Sequence, residues 1–406
     1  MEGSGSDYKV FSRSWHFSPQ EEMLEVKKQK NSLVIGIPRE TTYDESRVAL
    51  APEAAALLTQ NGHRILLQSK AGELAFFTDK EYADAGCELV YSEEEVFKAD
   101  IILKVAPLSD KELAFIRNGQ VIFSTVTLPM QKENYFRTFM SKKVTAIAFE
   151  FIRDKANSFP LLRSMSEIAG NTAILIASEY LSNKKYGRGR MFGGLSGITP
   201  TEVVILGSGT VGEYAVRAAM GLGASVKVFD HSVYKIRRLQ NNLNHRVFTS
   251  IIQPKVLSKC LRTADVLIGA IHTPWGRSPV VVSEEMVSQM KDGSVIVDVS
   301  IDQGGCVETS RVTTHSDPVY KKHDVTHYCV PNIASRVPNT ASYAFSNFFA
   351  PVLLTIGEEG GIENMLKRDP GVRQGVYVYN GTLTNQYIGE YFRIPYQDID
   401  LLMAAF

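Results

Sequence analysis

The sequence lacks net charge, long apolar runs and a hydrophobic leader. Its 44 basic residues equal its 44 acidic residues, which removes any general electrostatic attraction to nucleic acid or to an anionic membrane. No apolar run approaches the ~20 residues that a membrane helix needs. Residues 1–31 are polar and of mixed charge, without the apolar core of a secretory signal. We therefore expect a cytoplasmic protein that binds neither nucleic acid nor a membrane.

Cysteine is also scarce, with four residues in a chain of 406, and no two of them have C-x-x-C spacing. We expect these thiols to be reduced and packed, and we predict no metal site. The apolar share of 44% and the charged share of 22% are typical of a globular protein. The length is sufficient for two domains.

A glycine-rich turn is the strongest positive signal. The β-branched run 203–206 leads into Gly207, Gly209 and Gly212, which have the spacing G-x-G-x-x-G. The first glycine permits a tight turn, the second lets the backbone approach a pyrophosphate, and the third allows close packing of helix on strand. An aspartate closes the next apolar run, 18 residues after Gly212, where it can bind a ribose diol. The pattern predicts a dinucleotide site formed by Gly207, Ser208, Gly209, Val211, Gly212 and Asp230.

The acidic residue also bears on the choice of cofactor. The carboxylate of Asp230 would repel a 2′-phosphate, so we predict NAD rather than NADP. His231, Lys235 and the pair Arg237-Arg238 add positive charge nearby. These cations would attract a 2′-phosphate and so weaken the predicted preference for NAD.

Strand-like and helix-like segments alternate along the chain. Apolar runs at 33–38, 63–68, 100–105, 120–124 and 144–148 precede the glycine turn, and further runs follow at 247–249, 264–271, 294–299 and 327–330. This alternation predicts an α/β fold with two Rossmann-like parallel-sheet domains and an inter-domain cleft.

The nucleotide unit lies in the middle of the chain. We assign residues 1–31 to an N-terminal extension and residues 161–338 to the NAD-binding domain. The roughly 65 residues that follow are too few for a third domain. We therefore join 339–406 to 32–160 as a discontinuous substrate-binding domain, with long helices near 165–182 and 340–356 crossing between the two lobes.

Several polar residues follow predicted strands, where ligands gather in open parallel sheets. Arg47 can bind a carboxylate through its planar fork, although a solvated loop arginine is the simpler interpretation. Lys104 interrupts an apolar run, where it is either functional or an edge lysine that reaches solvent. Asp302 can face a cofactor or an amine, whereas Asp298 points to the other side of its strand and can brace a loop.

These segments, in this order, resemble the family of alanine dehydrogenases and the α subunit of proton-translocating transhydrogenase. The resemblance covers about nine tenths of the chain, from Val34 onward. The residues that carry it are 36–40, 45–49, 103–105, 165–170, 206–212, 297–298, 301–306, 328–332 and 337–340. It implies two lobes, the cofactor NAD and a homohexamer.

The resemblance also implies residue roles. Arg47 and Lys104 would hold the carboxylate and carbonyl oxygen of a pyruvate-like substrate, and Asp302 would assist the ammonia steps. Asn332 would lie beside the nicotinamide, and Ser166 would bind NAD together with the glycine loop and Asp230. The activity implied is the reversible oxidative deamination of L-alanine to pyruvate and ammonium.

Two positions depart from the family pattern. Family dehydrogenases have a catalytic histidine where this chain has Thr127, which cannot take up a proton near neutral pH. They usually have a proline where this chain has Ala334. His272 follows the strand-like run 264–271 and is the internal candidate to replace the histidine, although a structural histidine is the more common case.

Two alternatives stay open at this point. One is a related dehydrogenase that acts on another 2-oxo acid or forms a secondary amine. The other is a nucleotide-binding module with weak catalysis, like the transhydrogenase α subunit. The presence of Arg47 and Lys104 argues against an inactive module, as does the absence of a following membrane segment.

Overall fold

A computed structural model describes residues 31–42, 44–128, 131–273 and 276–404. The predicted extension, apart from its last residue, lies outside these ranges, as does Pro129 of the segment that contains Thr127. The strands are β1 (Val34–Ile37), β2 (Arg64–Gln68), β3 (Glu88–Val90), β4 (Ile101–Leu103), β5 (Val121–Ser124), β6 (Thr145–Ala148), β7 (Glu202–Leu206), β8 (Ser225–Asp230), β9 (Phe248–Ile251), β10 (Val266–Gly269), β11 (Val295–Asp298), β12 (Val319–Lys322), β13 (Val325–Tyr328), β14 (Val376–Tyr379) and β15 (Thr382–Leu383).

The helices lie mainly between the strands. They are α1 (Pro52–Gln60), α2 (Asp79–Asp84), α3 (Glu93–Val96), α4 (Asp110–Phe115), α5 (Glu133–Ser141), α6 (Pro160–Ser182), α7 (Thr210–Gly221), α8 (Val233–Leu243), α9 (Pro254–Leu261), α10 (Glu284–Ser288), α11 (Pro338–Glu358), α12 (Ile362–Arg368), α13 (Pro370–Arg373), α14 (Gln386–Phe392) and α15 (Ile399–Ala404). None of the described helices is both long and apolar enough to cross a bilayer.

Two sheets define two domains. The sheet of the N-terminal domain has the order β15-β14-β6-β5-β4-β1-β2-β3, and that of the central domain has the order β12-β13-β11-β10-β7-β8-β9. The predicted α/β class with two Rossmann-like domains is confirmed. Both sheets are parallel except at one edge, where β14, β15 and β12 run antiparallel to their neighbours.

The apolar strands are buried on both faces, which is why they are nearly continuous apolar runs. In β4, Ile101 and Leu103 pack into one core and Ile102 into the core on the opposite face. In β7, Val203 and Ile205 likewise pack away from Val204. The helices that pack against both faces of each sheet form these cores together with the strands.

Local sequence explains where many helices begin. Capping boxes start α2, α3 and α4, each with a serine or threonine cap and a glutamate three residues later. Prolines open the long helices α6 and α11, a position where the missing N–H costs nothing. The predicted helices near 165–182 and 340–356 are therefore confirmed, although both begin a few residues earlier.

The last part of the chain returns to the first sheet. β14 pairs with β6, and β15 pairs with β14. The sequence predicts only helices in this returning segment, so the strands β14 and β15 add to that prediction. The domain boundaries proposed from the sequence remain a prediction, and Asn31 already hydrogen bonds to Gly357 and Gly360.

Candidate active site

A cavity of about 280 Å³ lies between the two domains. The N-terminal domain contributes residues that follow its strands, and the central domain contributes residues from the loops after β7, β10 and β11. The lining includes Arg47, Thr125, Glu150, Met165, Ser166, Val211, His272, Ser300, Asp302, Gln303, Asn332 and Phe345. The carboxyl ends of parallel strands thus meet at one site, as expected for ligand binding in open sheets.

Arg47 is buried on the cavity wall and is held by its neighbour Glu45. Its Nε and Nη2 atoms donate to the two carboxylate oxygens of Glu45 at 2.8 and 2.6 Å. Burial disfavours the charged guanidinium, but Glu45 outweighs burial and raises the pKa of Arg47. The remaining nitrogen, Nη1, lies 3.4 Å from the sulfur of Met165. Arg47 is therefore a fixed cation with one edge available to an anion in the cavity.

Lys104 follows β4 and does not line the cavity. It is 1% exposed, and its Nζ atom donates to Glu40 at 2.9 Å and lies 3.6 Å from Glu112. Burial lowers the pKa of Lys104, but the two carboxylates outweigh this effect and raise it. The alternative of an edge lysine that reaches solvent is wrong. Its role as a substrate ligand remains a prediction.

We expect Lys104→Met to lower the free energy of unfolding by about 3–5 kcal/mol, because it leaves the buried carboxylates of Glu40 and Glu112 without their cation. Guanidinium denaturation measures this loss. The double variant Lys104→Met/Glu40→Gln should recover part of it. A Lys104→Met variant of wild-type stability with a raised KM for a 2-oxo acid would assign Lys104 to substrate binding alone.

Asp302 and Asn332 meet on the central-domain side of the cavity. The backbone N–H of Asn332 donates to Asp302 at 2.9 Å, and its side-chain amide donates to Glu45 of the other domain at 3.1 Å. Asp302 is open to the cavity, yet the surrounding protein desolvates its carboxylate and raises its pKa, against the opposing effects of Asn332 and Arg47. Asn332 thus connects Asp302 to the Arg47–Glu45 pair.

Asp298 has the bracing role considered from the sequence. Its carboxylate accepts from the backbone N–H groups of Ser300 and Cys306 and from the hydroxyl of Ser310. The loop that carries Asp302 is thereby fixed to the end of β11.

The glycine turn joins β7 to α7 with the expected geometry. Gly207 has a φ of +101°, and a Cβ atom on Gly212 would lie 2.0 Å from the carbonyl oxygen of Gly207. A Cβ atom on Gly209 would meet nothing within 4 Å, and no side chain caps the N-terminus of α7. Open space above free helix amides fits a pyrophosphate.

Asp230 is buried at the end of β8 and binds the glycine turn. Its carboxylate accepts from the backbone N–H and the hydroxyl of Ser208 at 2.7 and 2.8 Å and from the N–H of Ser232 at 2.8 Å. Burial raises the pKa of Asp230, but these hydrogen bonds outweigh burial and lower it. Asp230 is therefore a carboxylate that fixes the turn beside the expected ribose position. These residues fit a dinucleotide.

The residue at the position of the family histidine does not line the cavity. Thr127 has a φ of +44° and an exposed side chain, and it does not line the cavity. Positive φ is rare for a β-branched residue. His272 does line the cavity, as the sequence analysis anticipated, and burial followed by the charge of Lys235 lowers its pKa.

Two carboxylates of the site were not predicted from the sequence. Glu45 was noticed only as part of a motif, and Glu150 was not considered, although it follows the apolar run 144–148 just as Asp302 follows another strand. The rule that identified Asp302 would have identified Glu150 as well. Among the described residues, no cluster of histidine, cysteine and carboxylate side chains is suited to a metal ion.

The fold and the cavity define a two-domain α/β protein with a dinucleotide site beside a cationic and acidic cleft. The family model for the N-terminal domain of alanine dehydrogenase/PNT matches residues 36–169, and the model for the C-terminal domain matches residues 173–386. The chain therefore belongs to the alanine dehydrogenase/PNT family, and it is an oxidoreductase of that family.

Curated relatives cover nearly the whole chain. Alanine dehydrogenase of Staphylococcus saprophyticus is 35% identical over 369 residues, which are 91% of this chain and 99% of the relative. Alanine dehydrogenase 2 of Staphylococcus aureus (strain USA300) is 35% identical over 90% of this chain and 98% of its own length.

Solved structures have the same architecture. An L-alanine dehydrogenase matches with a TM-score of 0.83 and 34% identity, covering 89% of this chain and 99% of that one. A transhydrogenase from Sinorhizobium meliloti matches with a TM-score of 0.74 and 24% identity, covering 87% of this chain and 99% of its own. The second match bears on the fold alone.

Proposed function

We propose that this chain is an NAD-dependent alanine dehydrogenase, which catalyses the reversible oxidative deamination of L-alanine to pyruvate and ammonia. The observation that carries the proposal is the cavity, which has Arg47 on one domain and Asp302 and Asn332 on the other. A 2-oxo acid needs a cation for its carboxylate and a proton acceptor for the incoming ammonia. The named residues supply both.

Different residues of the chain bind the substrate, transfer protons and bind the cofactor. Arg47 binds the substrate carboxylate through the guanidinium edge that Glu45 leaves open. Asp302, with its raised pKa, exchanges a proton with the amine nitrogen. The glycine turn, Asp230 and Ser166 would hold the cofactor, with Asn332 beside the nicotinamide. When bound, the nicotinamide would donate a hydride to C2 of the substrate in amination and accept one in deamination.

The size of the cavity supports a small substrate. At about 280 Å³ it is slightly smaller than the range of roughly 300–1,000 Å³ for ligand pockets, and the nicotinamide must share it. Phe149, Leu161, Met165 and Phe345 form apolar wall. A methyl side chain suits this space better than the side chains of larger 2-oxo acids.

We also propose NAD over NADP, a cytoplasmic location and assembly into a homohexamer. The buried carboxylate of Asp230 supports the cofactor choice. Exposed apolar side chains at Leu175, Met191, Leu195 and Ile198 support assembly, since they are between 56% and 61% exposed. Exposed apolar surface of this kind is suited to contact with another subunit.

We expect the purified protein to oxidise NADH when pyruvate and ammonium are both present, and to turn over more slowly with glyoxylate and with 2-oxobutyrate. NADPH should support at most a small fraction of the rate, because Asp230 repels its 2′-phosphate. The loss of absorbance at the NADH band measures each rate. NADH binding without turnover of any 2-oxo acid would contradict the proposal and indicate a nucleotide-binding module.

A further inference from the structure

Glu150 lies beside the segment where the family histidine would be. β6 ends at Ala148, and the 3-10 turn Phe149–Phe151 carries Glu150 to the cavity wall. Its Oε1 atom accepts a hydrogen bond of 2.7 Å from the backbone N–H of Val126, the residue directly before Thr127. The carboxyl group is thus fixed to the loop that would carry the histidine, while Thr127 itself is exposed and does not line the cavity.

The other oxygen of Glu150 indicates a neutral carboxyl group. Oε2 is shielded from solvent and has no hydrogen-bond partner in the described part of the chain. A buried charge without a partner is costly, so burial favours the protonated form. Burial raises the pKa of Glu150 to about 7, although the N–H of Val126 acts in the opposite direction. Glu150 can therefore gain and lose a proton near neutral pH.

No permanently charged side chain pairs with the carboxyl group of Glu150 in the described part of the chain. Tyr135 of α5 and Tyr377 of β14 lie close enough for Glu150 to raise their pKa values, after burial as the larger cause. Both are neutral phenols near pH 7. The same cavity is also lined by the charged or titratable side chains of Arg47, Asp302 and His272. Within the described residues no lysine or arginine forms an ion pair with Glu150, in contrast to the Arg47–Glu45 and Lys104–Glu40 pairs.

His272 is less suited to this role. The charge that most affects its imidazole is that of Lys235, and Lys235 also acts on Asp230. His272 therefore belongs to the end of the cavity near the expected ribose position. Burial, followed by the charge of Lys235, lowers the pKa of His272, which disfavours the protonated imidazole that a proton donor needs.

We propose that Glu150 is the general acid and base that exchanges a proton with the substrate oxygen, in the place of the histidine that this chain lacks. The inference rests on the proposed function, since it concerns the oxygen of a 2-oxo acid in the same cavity. It assigns to one carboxyl group on the N-terminal domain the task complementary to that of Asp302 on the central domain.

The proton balance is complete with these two carboxyl groups. As the nitrogen of ammonia bonds to C2, the electron pair of the C=O π bond moves to oxygen, which takes the proton of Glu150. The nitrogen gives one proton to the carboxylate of Asp302, leaving a carbinolamine. Asp302 then returns this proton to the hydroxyl group, which leaves as water, and the C=N bond of the iminium ion forms. Glu150 lines the cavity, and it regains its proton from water that enters the cavity between turnovers.

The test compares Glu150→Gln with the wild type in pyruvate amination. Glutamine keeps the acceptor for the N–H of Val126 but cannot transfer a proton. We expect kcat to fall by ~10²–10⁴-fold, the usual contribution of general acid–base catalysis, with the NADH Kd and the pyruvate KM within about threefold of wild type. Glu150→Asp should restore part of the rate. Glu202→Gln is the matched control: Glu202 lies at the start of β7, at the opposite end of that strand from the glycine turn. This variant should leave kcat unchanged.

The pH profile separates a chemical role from a structural one. Because Glu150 must be protonated for amination, the wild-type kcat/KM for pyruvate should decline as pH rises through about 7, and this limb should be absent in Glu150→Gln. An active wild type with an unchanged rate and profile in Glu150→Gln would overturn the inference alone. A wild type that turns over no 2-oxo acid would overturn the proposed function and the inference together.

Discussion

Asp302→Ala should abolish measurable turnover and leave NADH affinity within about threefold of wild type. The loss should reach at least ~10⁴-fold, the upper end for a general acid–base group, because Asp302 serves both the addition of ammonia and the departure of water. NADH affinity should persist because the turn at 207–212 and Asp230 lie in other loops. Steady-state rates and fluorescence titration with NADH measure the two quantities.

Asp302→Asn separates proton transfer from positioning. The asparagine side chain keeps an oxygen for the N–H of Asn332, which donates to Asp302 at 2.9 Å, but it cannot take a proton. We expect it to be as inactive as Asp302→Ala. A rate near that of wild type in Asp302→Asn would assign Asp302 only to holding Asn332 and would refute its role in catalysis.

Two glycine substitutions in one turn should have opposite effects on the protein without nucleotide. Gly212→Ala should destabilise it severely, since the new Cβ atom would lie 2.0 Å from a backbone oxygen and the start of α7 would have to move off β7. Gly209→Ala should leave the melting temperature near that of wild type, since its φ of −75° suits any residue and its Cβ atom meets nothing within 4 Å.

Gly209→Ala should affect the binding of the cofactor even though it leaves the melting temperature of the free protein unchanged. A methyl group there occupies the space that a pyrophosphate needs above the helix amides, so Gly209→Ala should weaken NADH binding by at least tenfold. Thermal unfolding with and without NADH gives both readings in one experiment. Wild-type NADH affinity in Gly209→Ala would show that the cofactor does not cross this turn.

The fold was largely predictable from the sequence. Buried parallel strands are nearly continuous apolar runs, and glycine and proline mark their ends, so the order of elements followed from the pattern. The antiparallel strands β12, β14 and β15 were missed because each is short, and β12 and β15 are also half polar. One of them carried a signal nonetheless: Asn380-Gly381, with φ values of +44° and +82°, is the dipeptide typical of a two-residue hairpin between β14 and β15.

The polar contacts of the site were less predictable. The sequence indicated that Arg47 and Lys104 follow strands. It could not reveal that Glu45 binds the Nε–Nη2 edge of the guanidinium or that Glu40 binds Lys104 outside the cavity. Such pairings depend on side-chain directions fixed by packing. The same reason kept Glu150 hidden, since its importance lies in an oxygen left without a partner rather than in any motif.

The sheet of the N-terminal domain combines strands from both ends of the described chain. This arrangement has a consequence for synthesis of the chain on the ribosome. The backbone N–H of Asn380 donates to the hydroxyl of Thr145, 235 residues earlier. β6 therefore cannot pair with β14 until the central domain has been synthesised. At ribosomal speeds of about 5–20 residues per second, this delay is on the order of ten seconds or more. The central domain is therefore the first that can fold completely, and the nascent N-terminal domain exposes an unpaired strand edge to chaperones until β14 has been made.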